Sequence, residues 1–122
     1  MALQLYPSEI YYSQDSISCH FSDGNLIGET LDELCEGRLK VSDIDPISVT
    51  KVNGQWITWN NRRLWVFRHL ERFGKCSRIA VNNMVSLPKY FHMTSKSGGQ
   101  TVEVRGEPGG RWHNQRSACS IC

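Results

Sequence analysis

Between residues 44 and 83 the period of apolar positions changes twice. Pro46 stands where a strand begins, the place where its missing N–H costs least, and Ile47, Val49 and Val52 supply β-branched residues after it. Asn53-Gly54 follows, the strongest short hairpin signal, because a type I′ turn needs positive φ at both central positions. Gln55 to Trp59 alternates polar and apolar, as a strand with one buried face does. The alternation puts Ile57 and Trp59 on one face and Trp56 on the other. One tryptophan is then partly exposed, where it packs at the rim of a core or offers a stacking surface to a base.

Beyond Asn61 the period lengthens. Leu64, Phe67 and Leu70 fall at helical spacing with Trp65, Val66 and Phe73, while Arg62, Arg63, Arg68, His69, Glu71 and Arg72 take the polar face. The spacing predicts a helix over residues 62–73, capped by Asn60 or Asn61 and ended by Gly74 in a left-handed conformation. Ser77 to Asn82 then reads as a short strand with Ile79 and Val81 pointing one way.

The flanks are less regular. Glu9 to Ser18 reads as a first strand, Phe21 to Gly28 is rich in turn residues, and Glu29 to Gly37 reads as a short helix leading to Asp45-Pro46. Val85 to Thr94 is expected to add a strand, Ser95 to Gly99 a turn, and Gln100 to Arg105 the strand's hairpin partner. From Gly106 the periodicity fades. The expected product is a small single domain of α+β class with a mixed β-sheet. Its core spans residues 8–85, an additional β-hairpin 86–106, and an irregular basic tail 107–122.

A chain of 122 residues and 14.0 kDa has room for a single core. At 39% hydrophobic residues and a mean hydropathy of -0.42 that core is small. A net charge of +2 is too mild to argue for nucleic acid by itself, but it is unevenly spread. Residues 60–78 hold Arg62, Arg63, Arg68, Arg72, Lys75 and Arg78 against Glu71 alone, whereas residues 29–45 are acidic.

No stretch has the length of a membrane helix, and the first residues lack the basic and apolar regions of a secretory signal. The expectation is a cytoplasmic or nuclear protein without a membrane partner. The odd set of Cys19, Cys35, Cys76, Cys119 and Cys122 then reads as reduced thiols. Cys119 and Cys122 form a C-x-x-C pair without a second pair to complete a zinc site, so no metal ligands are assigned.

The chemistry concentrates where the second strand runs into the helix, at Asn60, Asn61, Arg62 and Arg63. Helix N-termini present unpaired N–H groups and a dipole that favours anions, and guanidinium matches phosphate geometry. The four residues are therefore candidates for binding the phosphates of a nucleotide. The plain alternative is a solvated helix start with asparagine capping and one arginine paired to an acid.

A proline-led strand, a glycine-containing hairpin, a strand, the junction Trp59-Asn60-Asn61-Arg62-Arg63-Leu64, a helix and a closing strand together resemble the core of the ParB/sulfiredoxin-like superfamily. The resemblance covers roughly residues 8–85. It implies a nucleotide-binding domain with the activity of a phosphotransferase or NTP hydrolase, working with Mg2+ carried on the nucleotide. It also implies that an acid on the first helix faces the transferring phosphate, which here is Glu29. The alternative to that acid's role is ordinary complementation of the helix dipole. Members of the superfamily carry D-G-x-R-R or G-G-C-H-R at the junction. Asn61 stands where sulfiredoxin has its nucleophilic cysteine, and an amide is no thiolate, so peroxiredoxin repair is not expected. Two other readings remain open. One is a nucleic-acid-binding or nuclease-like protein using the basic face of Arg68, Arg72 and Lys75; the other is a non-catalytic interaction module.

Overall fold

The hairpin at Asn53-Gly54 organises the main sheet. In the computed structural model, which describes residues 3–85 and 93–116, β4 (Ile47–Val52) and β5 (Gln55–Thr58) pair antiparallel with Val52 opposite Gln55. Asn53 and Gly54 take φ values of 51° and 81°, the two left-handed residues that the tight turn demands. Three further strands, β1 (Leu3–Leu5), β2 (Ile10–Tyr11) and β6 (Ile79–Asn83), complete a five-stranded mixed sheet. Its order is β1-β6-β4-β5-β2. β6 runs parallel to β4, β2 parallel to β5, and β1 antiparallel to β6. β3 (Ser16–Ser18) and β7 (Glu103–Arg105) form a separate parallel pair.

Two helices cover the sheet. α1 (Ile27–Cys35) and α2 (Asn61–Arg72) lie within one step of their expected spans at the start of α2 and two at the start of α1. Leu64, Trp65, Val66, Phe67 and Leu70 of α2 join Leu31 and Leu34 of α1 and Ile47, Val49, Ile79 and Val81 of the sheet in one core. α2 stops where Gly74 turns left-handed, with φ 71°. The Gly74 N–H then bonds the Glu71 carbonyl at 2.9 Å and the Lys75 N–H bonds that of Leu70 at 3.0 Å, the paired closure of a Schellman motif. The result is a small α+β domain with a mixed sheet.

Three expectations need revision, and one strand was not expected. Glu9–Ser18 is not one strand. Glu9 ends a 3-10 turn, and the following residues divide between β2 in the main sheet and β3 in the small one. The division falls at Ser13-Gln14, whose N–H groups both donate to the side-chain oxygen of Asn61, at 2.9 and 3.3 Å. Neither asparagine at the junction caps α2 through its side chain, because each amide is taken by a distant segment. β1 carries no signal strong enough to have been foreseen. Finally, β7 pairs with β3; of its expected hairpin partner, residues 85, 93 and 94 are not in a strand, and residues 86–92 lie outside those described, as does Cys119-Cys122.

The segment after β7 is irregular but tightly held. The Gly28 N–H at the start of α1 donates to the Pro108 carbonyl at 2.8 Å, and a Cβ on Gly28 would stand 1.9 Å from the Gly109 oxygen. The Asp32 carboxylate accepts the N–H groups of Arg111 and Trp112, each at 3.0 Å. The Trp112 ring meets Phe73 edge-on with centroids 5.3 Å apart, and Arg72 donates to the carbonyls of His113 and Gln115 at 2.8 and 2.6 Å. The segment thus straps α1 to α2.

Two outcomes are expected from this packing. Asn61→Ala removes the acceptor for two backbone N–H groups in a site where Asn61 is 6% exposed. It should lower unfolding free energy in urea by about 1–3 kcal/mol, the scale of buried polar groups left unpaired. The second concerns His69, whose Nδ1 accepts the Arg72 Nε–H at 2.8 Å. Burial first, then the charges of Arg72 and His113, hold its pKa down to about 4 from 6.5. The unfolded chain therefore binds the extra proton between those values. Stability is fully present above pH 6.5 and falls as pH drops toward 4, by at most about 1.4 kcal/mol per pH unit. Urea midpoints measured across that window should drop in the wild type and drop less in His69→Gln.

Candidate functional site

The first turn of α2 opens onto a cleft of about 350 Å³. Trp59, Asn60, Asn61, Arg62 and Arg63 form one wall, Gln14, Ile17, Ser18, Phe21 and Ser22 the facing one, and Arg105 reaches in from β7. The wall is built by the two asparagines. Asn60 Oδ1 accepts the Ser48 N–H of β4 at 2.8 Å, and the Asn60 N–H donates to Thr58 Oγ1 at 3.0 Å. Asn61 accepts from Ser13 and Gln14 and returns its Nδ2–H to Ser13 Oγ at 2.9 Å. Both residues line the cleft, but their amides hold the chain together. With no side-chain cap on α2, the backbone N–H groups of its first turn stand at the cleft wall.

The arginines are differently placed. Arg62 Nη1 donates to the His20 carbonyl at 2.8 Å, Arg63 Nη1 to the Pro46 carbonyl at 3.2 Å, and Arg105 Nη1 to Ser16 Oγ at 2.6 Å. These are neutral acceptors. Among the described residues the ion pairs join Arg38 and Arg111 to Glu36, Lys96 to Asp15, and His113 to Glu107, so the three guanidiniums lining the cleft meet no carboxylate. No carboxylate lines the cleft either, among the described residues. Two aromatic rings complete the surface. The half-buried Trp59 is fixed by its Nε1–H, which donates to Thr50 Oγ1 at 2.7 Å, and Phe21 lines the same cleft.

Glu29 is not brought to this site. It is exposed on α1 and lines a shallow groove with Asp32, Glu33 and Arg38. The Pro108–Gly110 turn seals the start of α1 at Gly28, which leaves Glu29 on the outer face. The proposed basic face of α2 is also largely committed. Arg68 donates to the carbonyls of Gln100, at 2.6 Å, and Ile10, with its guanidinium 4.5 Å from the Tyr12 ring centroid. Arg72 is held by the strap and by His69. Lys75 is exposed, with its ammonium 5.5 Å from the Trp112 ring centroid.

Burial pushes the thiols of Cys35 and Cys76 up to about 11, so both stay protonated near neutrality. No group of three or more His, Cys, Asp or Glu side chains suited to a metal occurs among the described residues. Nor is any described helix long and apolar enough to cross a membrane.

Arg105, Ser18 and Phe21 were not singled out from the sequence. Arg105 ends an alternating stretch, but nothing near it announces a parallel pairing with Ser18, its cross-strand partner. No family model, no curated protein and no solved structure matches the chain.

The division among arginines gives a direct check. Arg68→Ala removes the donor that holds two carbonyls and should lower stability by about 1–3 kcal/mol. Arg62→Ala should change it by no more than about 0.5 kcal/mol. Urea unfolding of the two variants side by side reads the difference.

Proposed function

We propose that the chain is a nucleotide-binding domain of ParB/sulfiredoxin-like type, which takes its ligand's phosphates on Arg62, Arg63 and Arg105. One observation carries the reading: three guanidiniums without a carboxylate partner among the described residues line a single cleft at a helix start that has no side-chain cap. Arginines there oppose the helix dipole and repel each other, and a polyanion relieves both strains. Trp59 and Phe21 on the same cleft offer apolar surface to a base. The order of strand, hairpin, strand, helix and closing strand, with β4 and β6 parallel, supports the proposed superfamily.

Within this reading Asn60 and Asn61 position the phosphate site, and binding is better supported than phosphoryl transfer. Among the described residues, those lining the cleft provide no carboxylate oxygen for Mg2+, the ligand that ion asks of a protein. A magnesium ion would arrive on the nucleotide and leave with it. The nucleic-acid reading keeps only Lys75 as an uncommitted member of its basic face, and the interaction-module reading gains no observation of its own.

The test is a thermal-shift screen against ATP, ADP, CTP, GTP, pyrophosphate and short DNA, with magnesium or with EDTA. At least one nucleotide should raise the melting temperature, corresponding to about 2.7 kcal/mol when present at a hundredfold excess over its Kd. EDTA should leave that shift in place. Arg62→Ala combined with Arg63→Ala should abolish it, and Arg105→Ala should weaken it. No shift with any phosphate compound overturns the reading. DNA binding that is lost equally in Lys75→Ala and falls steeply with salt would favour nucleic acid instead.

A further inference from the structure

A hydroxyl on the cleft lining is paired with an exposed imidazole beside it. Ser18, at the end of β3, lines the cleft, and its Oγ lies 3.1 Å from Nδ1 of His20. The His20 N–H also points to Ser18 Oγ, at a long 3.4 Å. In the tautomer with its ring proton on Nε2, Nδ1 is the acceptor of the Ser18 hydroxyl proton. The pair therefore has the arrangement of a hydroxyl nucleophile with a base within hydrogen-bond reach.

The charges around it are those a phosphoryl group needs. Arg105 is the register partner of Ser18 across the β3–β7 pair. The His20 carbonyl accepts the Arg62 guanidinium at 2.8 Å, so the segment bearing the base is tied directly to one of the phosphate-binding arginines. Arg63 lines the same cleft. The absence of a carboxylate from the described lining leaves His20 as the base beside Ser18.

We propose that Ser18 is a phosphoryl acceptor, modified by the terminal phosphate of a nucleoside triphosphate held in this cleft, with His20 as general base. This rests on the cleft being a nucleotide site. In the step, Ser18 Oγ attacks the γ-phosphorus and forms the new P–O bond. The bond from that phosphorus to the β,γ-bridging oxygen breaks, and the nucleoside diphosphate leaves with the electron pair. The hydroxyl proton passes to His20 Nδ1. The three arginines stabilise charge on the transferring group and afterwards pair with the phosphoserine, which carries strong acceptor oxygens.

The experiment incubates the purified chain with ATP, CTP or GTP and magnesium, and follows intact mass over time. Fragmentation then locates the modified residue, and thermal shift is read on the same samples. One added phosphoryl group on Ser18 is expected, absent from Ser18→Ala, with the rate in His20→Gln lower by about 10²-fold. Ser18→Ala should still be stabilised by the nucleotide, which also shows that the variant folds. Nucleotide stabilisation without any label overturns the acceptor assignment and leaves the binding site standing. Label on another residue, label at an undiminished rate in His20→Gln, or label persisting in Arg62→Ala combined with Arg63→Ala also overturns it. Failure of both stabilisation and label removes the two readings together.

Discussion

The buried amide of Asn61 is the constraint on which the rest of the structure depends. It accepts the N–H groups of Ser13 and Gln14 and donates to Ser13 Oγ, so residues 48 and 47 positions away are clamped to the first turn of α2. A chain with apolar residues on both sides of that point would otherwise continue as one strand. Clamped there, its first part stays in the main sheet as β2 and its second departs as β3 to pair with β7. The departure opens the cleft, and the pairing carries Arg105 to it. An amide suits this role because it donates and accepts at once; a carboxylate could accept but not return the bond to Ser13.

Along α2 the arginines divide by how many bonds they make. Arg62 and Arg63 each make one bond to a carbonyl at the rim of the cleft. Arg68 and Arg72, one and two turns further on, hold the segments at Ile10, Gln100 and 113–115. Arg68 and Arg72 each hold two backbone oxygens, one of each pair through a partly buried bond, where an unmet acceptor is costly. The proximal pair, together with Arg105, is left with positive charge that no described side chain balances. Uncompensated like charge at a helix start is unfavourable for the free protein, and it gives an anion something to repay.

Local chemistry was legible in the sequence, and long-range pairing was not. Asn53-Gly54 and Gly74 specify backbone conformations that few other residues adopt, so the hairpin and the end of α2 could be placed directly. The helix followed from apolar spacing, and Arg62 and Arg63 followed from where that spacing begins. Arg105 was hidden because its bond to Ser16 spans 89 positions and its strand is three residues long. The placement of Glu29 away from the cleft, and the engagement of Arg68 and Arg72, were hidden for a related reason. Charge and helix position were readable, but the strap that seals α1 and engages Arg72 consists of irregular residues whose role appears only in contact. Asn60 and Asn61 read as caps by residue type, and distant partners took their amides.

The central claim is that Arg62, Arg63 and Arg105 act together on one anion. It is tested most directly by following the arginine Nε–H resonances of isotopically labelled protein during titration with pyrophosphate. The account predicts that these three resonances move together along one saturating curve, while those of Arg68 and Arg72 stay in place. Movement confined to other arginines, or a uniform drift of all of them without saturation, would contradict it.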